Sequence, residues 1–401
     1  MSISMGKFNR RLLACAGTWG VATILASCGG GHDHGGHPPP PPPPAGLSYD
    51  VIRLSIGVIG ERGFVGRQGM SPNGKVAGTI DGPDGRLHAF LYDGERTIDL
   101  GLPNSASSEA YAVNNLGQVT GVVNSDDGST TAFLYDGTLR DLGSLGGRLS
   151  IGLDINDRGQ VTGSSTGTDN IEHAFLYQDG ALSALPTPGV RSSGRLIDES
   201  GTVAGRYNDP KGFVRGFVIG ACHCPKDLGT LGGDQTFVFG INNAGQVAGQ
   251  SQVASGRFHV FRYDNGTIRD VGTLGGDFAD FGGINESGWV VGYSQTATNA
   301  LHAFLYDGVS LRDLGTLGGT ISQANAINAA GRVVGTASTA TGAGRAMTWT
   351  AAGGMVDLNT LLHKPPPDLL LTNAWRIADN GWIVANANPG LVVLKPRNGQ
   401  K

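Results

Sequence analysis

The stretch Ile241–Gly276 reads Ile241-Asn242-Asn243-Ala244-Gly245-Gln246-Val247-Ala248-Gly249, then His259-Val260-Phe261-Arg262-Tyr263-Asp264-Asn265-Gly266, then Asp270-Val271-Gly272-Thr273-Leu274-Gly275-Gly276. Each of the three pieces recurs along the chain. The first, Asn-x-x-Gly-x-Val-x-Gly, puts glycines at Gly74, Gly117, Gly159, Gly201, Gly245, Gly288, Gly331 and Gly381, at steps of 43, 42, 42, 44, 43, 43 and 50 residues. The second, typically His-Ala-Phe-Leu-Tyr, follows each copy from His88–Tyr92 to Arg345–Trp349, with a weak last copy at Gly390–Leu394. The third, Asp-Leu-Gly-Thr-Leu-Gly-Gly, is clear at Asp141, Asp227, Asp270 and Asp313 and degenerate elsewhere.

A period of about 43 residues is that of four-stranded blade repeats. Each unit supplies four strand-like runs, separated by turn chemistry such as Asn-Asn-x-Gly and Asp-Gly (Asp93-Gly94, Asp136-Gly137, Asp307-Gly308). An extra third signature at Ile56–Gly60 shifts the phase, so the chain opens on a third signature and ends on a second. The expected fold is therefore an all-β propeller over residues 47–396, with about eight four-stranded blades and a tail at 397–401. The N-terminal strand Tyr49–Ile59 should complete the sheet built from residues 375–394, because closing a ring removes an unpaired edge. An open β-solenoid and a seven-bladed ring are the alternatives.

The chain has 401 residues, 67 of them glycine, without a Gly-X-Y period, and 39% apolar residues, so it is neither collagen-like nor simply disordered. Net charge is −4, and no basic stripe points to nucleic acid. Residues 1–27 read as an export signal: Lys7, Arg10 and Arg11 precede the short apolar run Leu12–Ala26, which is too short to span a bilayer as a helix. Loss of those three cations would leave −7. The segment ends Leu25-Ala26-Ser27-Cys28, which resembles the lipobox of bacterial lipoproteins. That resemblance implies a lipidated Cys28, a membrane anchor and a place in the bacterial cell envelope, with Gly29 after the cysteine favouring the outer membrane. Residues 28–46 form a linker, His32-Asp33-His34 and His37 followed by Pro38–Pro44, whose prolines favour an extended polyproline stalk. His32, His34 and His37 are candidate ligands for a divalent metal, although histidine also accumulates in low-complexity linkers.

The repeat resembles the HAF family of bacterial extracellular repeat proteins, named for His-Ala-Phe, here His88-Ala89-Phe90, His173-Ala174-Phe175 and His302-Ala303-Phe304. The resemblance implies an exported repeat protein and brings no catalytic residues with it.

Within the repeat, His88, His173, His259 and His302 could form a ring, but Thr131, Arg215 and Arg345 stand in other copies, so a packing or edge role is expected. Asp141, Asp227, Asp270 and Asp313 are expected to serve turns and strand ends rather than Ca²⁺. Cys222-His223-Cys224 replaces a turn of the fourth unit. Those cysteines are expected to pair as a disulfide in an oxidising compartment, with a soft metal or a redox role as alternatives. His363–Pro367 reads as a surface loop. No hydrolase elbow, zinc helix, phosphate loop or dinucleotide fingerprint is present. The departures from the repeat fall at turns, so the expected function is a non-enzymatic binding or scaffolding module with a protein or glycan partner. The alternative is an envelope carbohydrate-active enzyme, a lyase or hydrolase, marked by clustering of Glu109, Glu172, Glu199, Glu286 or nearby arginines on one face.

Overall fold

The computed structural model describes residues 47–54, 63–101, 105–388 and 390–397. Cys28, His32, His34, His37 and the copy at Ile56–Gly60 lie outside the described residues. Those residues hold thirty-two strands and one short 3₁₀ turn, Leu358–Leu361, in an all-β propeller arrangement. Four sheets have four strands each. Each of the two eight-stranded sheets is a pair of four-strand groups joined by a single parallel bridge, Leu149 to Thr130 in one and Leu301 to Ile321 in the other. Antiparallel pairing thus defines eight four-stranded units. The first seven run through Gly63–Asp99, Ser105–Asp141, Gly146–Ala184, Ser192–Asp227, Gly232–Gly272, Gly275–Asp313 and Gly318–Asp357, in chain order.

The eighth unit takes Leu370–Ile377, Ile383–Asn388 and Leu391–Pro396 from the end of the chain and Tyr49–Arg53 from its start. Tyr49 pairs with Pro396 and Arg53 with Val392 in a regular antiparallel register. This is the expected closure, with the described pairing confined to 49–53, and it removes the open-solenoid alternative. Arg332 of the seventh unit donates to the buried Tyr49 hydroxyl at 2.9 Å, fastening the closing strand.

Neighbouring units bury their faces against each other, which is why the His-Ala-Phe runs are apolar on both sides. Phe90, Phe133, Phe175, Phe217, Phe261, Phe304 and Met347 occupy equivalent positions and are fully buried. One cluster joins Ala132, Leu134 and Leu142 of the second unit to Ile155, Val161 and Phe175 of the third. Another joins Val76, Phe90 and Tyr92 of the first to Val384, Leu391 and Val393 of the eighth, so the ring shuts with the same packing it uses elsewhere.

The repeated asparagine does more than supply turn chemistry. Positive φ falls on the glycine of each turn, for example +83° at Gly117, and on none of these asparagines. The asparagine side chain is instead a link between units. Asn156 accepts from the amides of Arg158 and Gln160 in its own turn and donates to Asp198 O in the next unit at 3.0 Å. Asn114, Asn242, Asn285 and Asn328 make the same reach to Asn156 O, Asn285 O, Asn328 O and Ala378 O. These bonds belt one mouth of the ring.

The repeated histidines and aspartates meet at the opposite ends of their strands. Asp99, Asp270 and Asp313 each accept from the amide two residues on, and also from His88, His259 and His302 at 2.8–2.9 Å. Arg215 replaces the histidine at Asp227. Edge and turn roles are therefore what these residues have.

A candidate site in the axial channel

The innermost strand of each unit carries a bulge. In the second unit Ala110 faces Gly121 and Ala112 faces Thr120, leaving Tyr111 unpaired. The same break recurs between Gly152 and Asp154, Gly194 and Leu196, Val238 and Gly240, Phe281 and Gly283, Ala324 and Ala326, and Ala374 and Arg376. The residues at these register shifts are Tyr111, Leu153, Arg195, Phe239, Gly282, Asn325 and Trp375. Their spacing follows the repeat, yet no two of the seven are alike.

The bulge explains the glycine that ends Val-x-Gly. A Cβ at Gly121 would meet Glu109 O at 1.9 Å, and one at Gly163 would meet Ile151 O at 1.9 Å. A glycine inside a strand marks a bulge or a close backbone approach. That mid-strand glycine was the available sequence signal for the bulge ring, and the sequence reading missed it.

The first unit departs furthest. Phe64 pairs with Thr79, and the ladder resumes where Ala77 N donates to Gly69 O, so three residues, Gly66-Arg67-Gln68, stand where other units have one. This enlarged bulge straps across the channel. Arg67 donates to Gly282 O at 2.9 Å and Phe281 O at 3.3 Å, on the sixth unit, and its guanidinium lies 5.1 Å from the Phe239 ring and 5.4 Å from the Phe281 ring. Gln68 O accepts from Val113 N of the second unit at 3.0 Å. Arg376 of the eighth unit holds the near end, donating to Gly66 O at 3.2 Å and to Asn325 O at 3.3 Å. The strap lands at the glycine bulge Gly282, where a Cβ would fall 2.0 Å from Ala324 O.

Residues 68–72 separate two cavities at the belted mouth. The larger, about 250 Å³, is walled by Arg67, Arg376, Phe239, Phe281, Asn325 and Ile377, with Glu286 and Asp379 at its rim. The smaller, about 130 Å³, is lined by Asp154, Asp157, Glu199, Asn114 and Ile197. Arg67 is open to channel water but walled by protein, and this enclosure lowers its proton affinity, with Asp280 opposing the shift. Enclosure lowers that of Arg376 as well, and the neighbouring Arg67 adds to the effect. Asp280 is itself engaged by the Tyr293 hydroxyl at 2.7 Å and Phe281 N at 2.8 Å. In the smaller cavity burial pushes the Asp154 carboxyl up to about 7, against two amide bonds, from Ile155 and Ile197, that favour its charged form.

The other sequence candidates fall elsewhere. Glu199 and Glu286 reach the belted mouth but are tied into it, accepting from Asp157 N and Asn243 N. Glu109 lies on an innermost strand, hydrogen-bonded to Tyr111, and Glu172 begins the third strand of its unit near Arg191, so the four glutamates do not form one acid–base cluster. Cys222 and Cys224 are exposed free thiols on their turn, Cys224 N donating to Cys222 Sγ at 3.3 Å. Among the described residues no group of three or more His, Cys, Asp or Glu side chains could hold a metal ion. The expectation that departures from the repeat are confined to turns is corrected: strand positions depart from it as well, the bulge residues of the innermost strands among them, and three of these, Phe239, Gly282 and Asn325, line the larger cavity.

No family model and no curated protein matches the chain. Similar solved structures are propeller-containing chains. A puromycin hydrolase mutant is 16% identical, with 78% of this chain and 56% of that one covered and a TM-score of 0.45. Dipeptidyl peptidase 4 of Porphyromonas gingivalis is 11% identical, with 78% and 55% covered and a TM-score of 0.47. The β-propeller domain of the Trilobed protease from Pyrococcus furiosus is 15% identical, with 61% and 79% covered and a TM-score of 0.44. The chain thus spans little more than half the length of the two hydrolytic enzymes. These comparisons also correct the expected non-enzymatic role: peptidases are among the chains that share this arrangement, so the ring does not set the chain apart from enzymes. At this similarity the likeness is one of fold.

Proposed function

We propose that the chain works through its axial channel, admitting a small ligand or substrate to the cavity of about 250 Å³ beside the Gly66-Arg67-Gln68 strap. One observation carries this reading: where the phenylalanine packed between blades recurs from Phe90 to Phe304, the seven bulge positions of the innermost strands are all different, and three of them, Phe239, Gly282 and Asn325, line one cavity. Packing between identical blades enforces repetition. Freedom from that constraint, combined with a cavity, polar groups and aromatic walls in one place, is the usual composition of a small-molecule site.

Filling the channel tests this. Asn325 lines the cavity and sits part-exposed on the innermost strand of the seventh unit, and Asn325→Trp should remove the compounds that raise the melting temperature of the wild-type chain in a thermal-shift screen. Retention of every hit by the filled variant would place the working surface off the axis.

A further inference from the structure

We infer that the axial cavity selects an organic oxyanion, a carboxylate or phosphate monoester carried on a flat apolar body, with Arg67 and Arg376 as its anion-binding pair. The inference rests on the axial reading above and adds the class of ligand. Elsewhere in the ring several arginines are matched by carboxylates, Arg86, Arg148, Arg215, Arg257 and Arg345 pairing with aspartates at 2.8–3.9 Å, while others such as Arg332 and Arg158 bond a hydroxyl or a carbonyl. Arg67 and Arg376 form no ion pair among the described residues. Both lean on backbone carbonyls instead, and these hold the guanidiniums in place without cancelling their charge.

Neither fork is fully spent. Arg67 uses Nη1 and Nη2, and Arg376 uses Nε and Nη1, so Arg67 Nε and Arg376 Nη2 make no hydrogen bond among the described residues. Two guanidiniums close enough to repel each other, with donors left over and the nearby carboxylates Asp280, Glu286 and Asp379 already accepting from Tyr293, Asn243 and Ala329, make an oxyanion the complementary occupant. Guanidiniums bind carboxylate and phosphate through paired, charge-assisted hydrogen bonds. The adjoining wall is aromatic: the Phe239 and Phe281 rings lie 6.3 Å apart and 23° from parallel, a surface suited to a planar body. A bare inorganic ion would leave that wall unused.

Isothermal titration of the full chain with phenylphosphate, benzoate, inorganic phosphate and benzyl alcohol tests the inference. Phenylphosphate or benzoate should bind more tightly than either inorganic phosphate or benzyl alcohol, and whichever is tighter names the oxyanion. Arg376→Gln should weaken the aromatic anions about tenfold or more while leaving benzyl alcohol unchanged. Arg67→Gln provides a second variant should the first unfold. Benzyl alcohol binding as tightly as phenylphosphate overturns the anion selection and leaves the axial reading standing. Failure of every probe to bind overturns both, and anion binding undiminished in both variants places the anion site elsewhere.

Discussion

The blade interfaces and the axis of the ring obey opposite rules. At the interfaces Phe90, Phe133, Phe175, Phe217, Phe261 and Phe304 are the same residue in the same place, each fully buried. At the axis the bulge position reads Tyr111, Leu153, Arg195, Phe239, Gly282, Asn325 and Trp375. An interface residue meets a near-copy of its own surroundings in the next unit, so one solution serves all around the ring. An axial residue meets whatever stands across the channel, as Arg67 meets Gly282. The repeat is therefore where stability is made, and its interruption is where individuality is possible.

The largest test of that contrast is Phe175→Ala against Leu153→Ala. The first opens a cavity in a packed interface and should cost about 3–5 kcal/mol in chemical denaturation, whereas the second should cost far less. Equal losses would mean the axis is packed as tightly as the blades. A smaller effect comes from Asp154, a buried carboxyl on the margin of the two regions. Its folded pKa lies above the unfolded value, so its contribution is fully present below pH ~4 and is lost as pH rises through about 7. Asp154→Asn should flatten the fall in melting temperature between pH 5 and pH 8, even while losing one of its two amide bonds. An unchanged slope would show that the group titrates normally. The smallest effect is expected at the rim. His88, held by Asp99 and Asp84, has its pKa raised by these carboxylates against the opposing effect of burial. Its stabilisation is present while the imidazole is charged and is lost as pH rises through its folded pKa. His88→Gln should cost under about 1 kcal/mol at pH 5.5 and less at pH 8, and a loss equal at both pH values would rule out the ion pairs as its source.

The interfaces were legible in the sequence and the axis was not. Period, turn glycines and the phase shift between the chain ends led to the propeller and to Tyr49 beside the last strands, since each follows from spacing alone. The link from Asn156 to Asp198 O was hidden because asparagine also suits turns, and only coordinates show which use it has. Arg67 was invisible for a stronger reason. Its partner Gly282 lies 215 residues away, and nothing in a repeat pattern pairs an insertion in one copy with a missing side chain in another. The mid-strand glycines, such as Gly121, did announce a bulge, but they could not say what it would point at.

The seam between Tyr49–Arg53 and Leu391–Pro396 also orders events in time. During synthesis Tyr49–Arg53 has no partner until Leu391–Pro396 leaves the ribosome, and until then the chain carries exposed sheet edges of the kind that pair with the wrong neighbour. Both ends are needed to shut the circle. Trimming either end therefore undoes the same join, and a nascent or clipped chain shows itself by an open seam rather than by any missing blade.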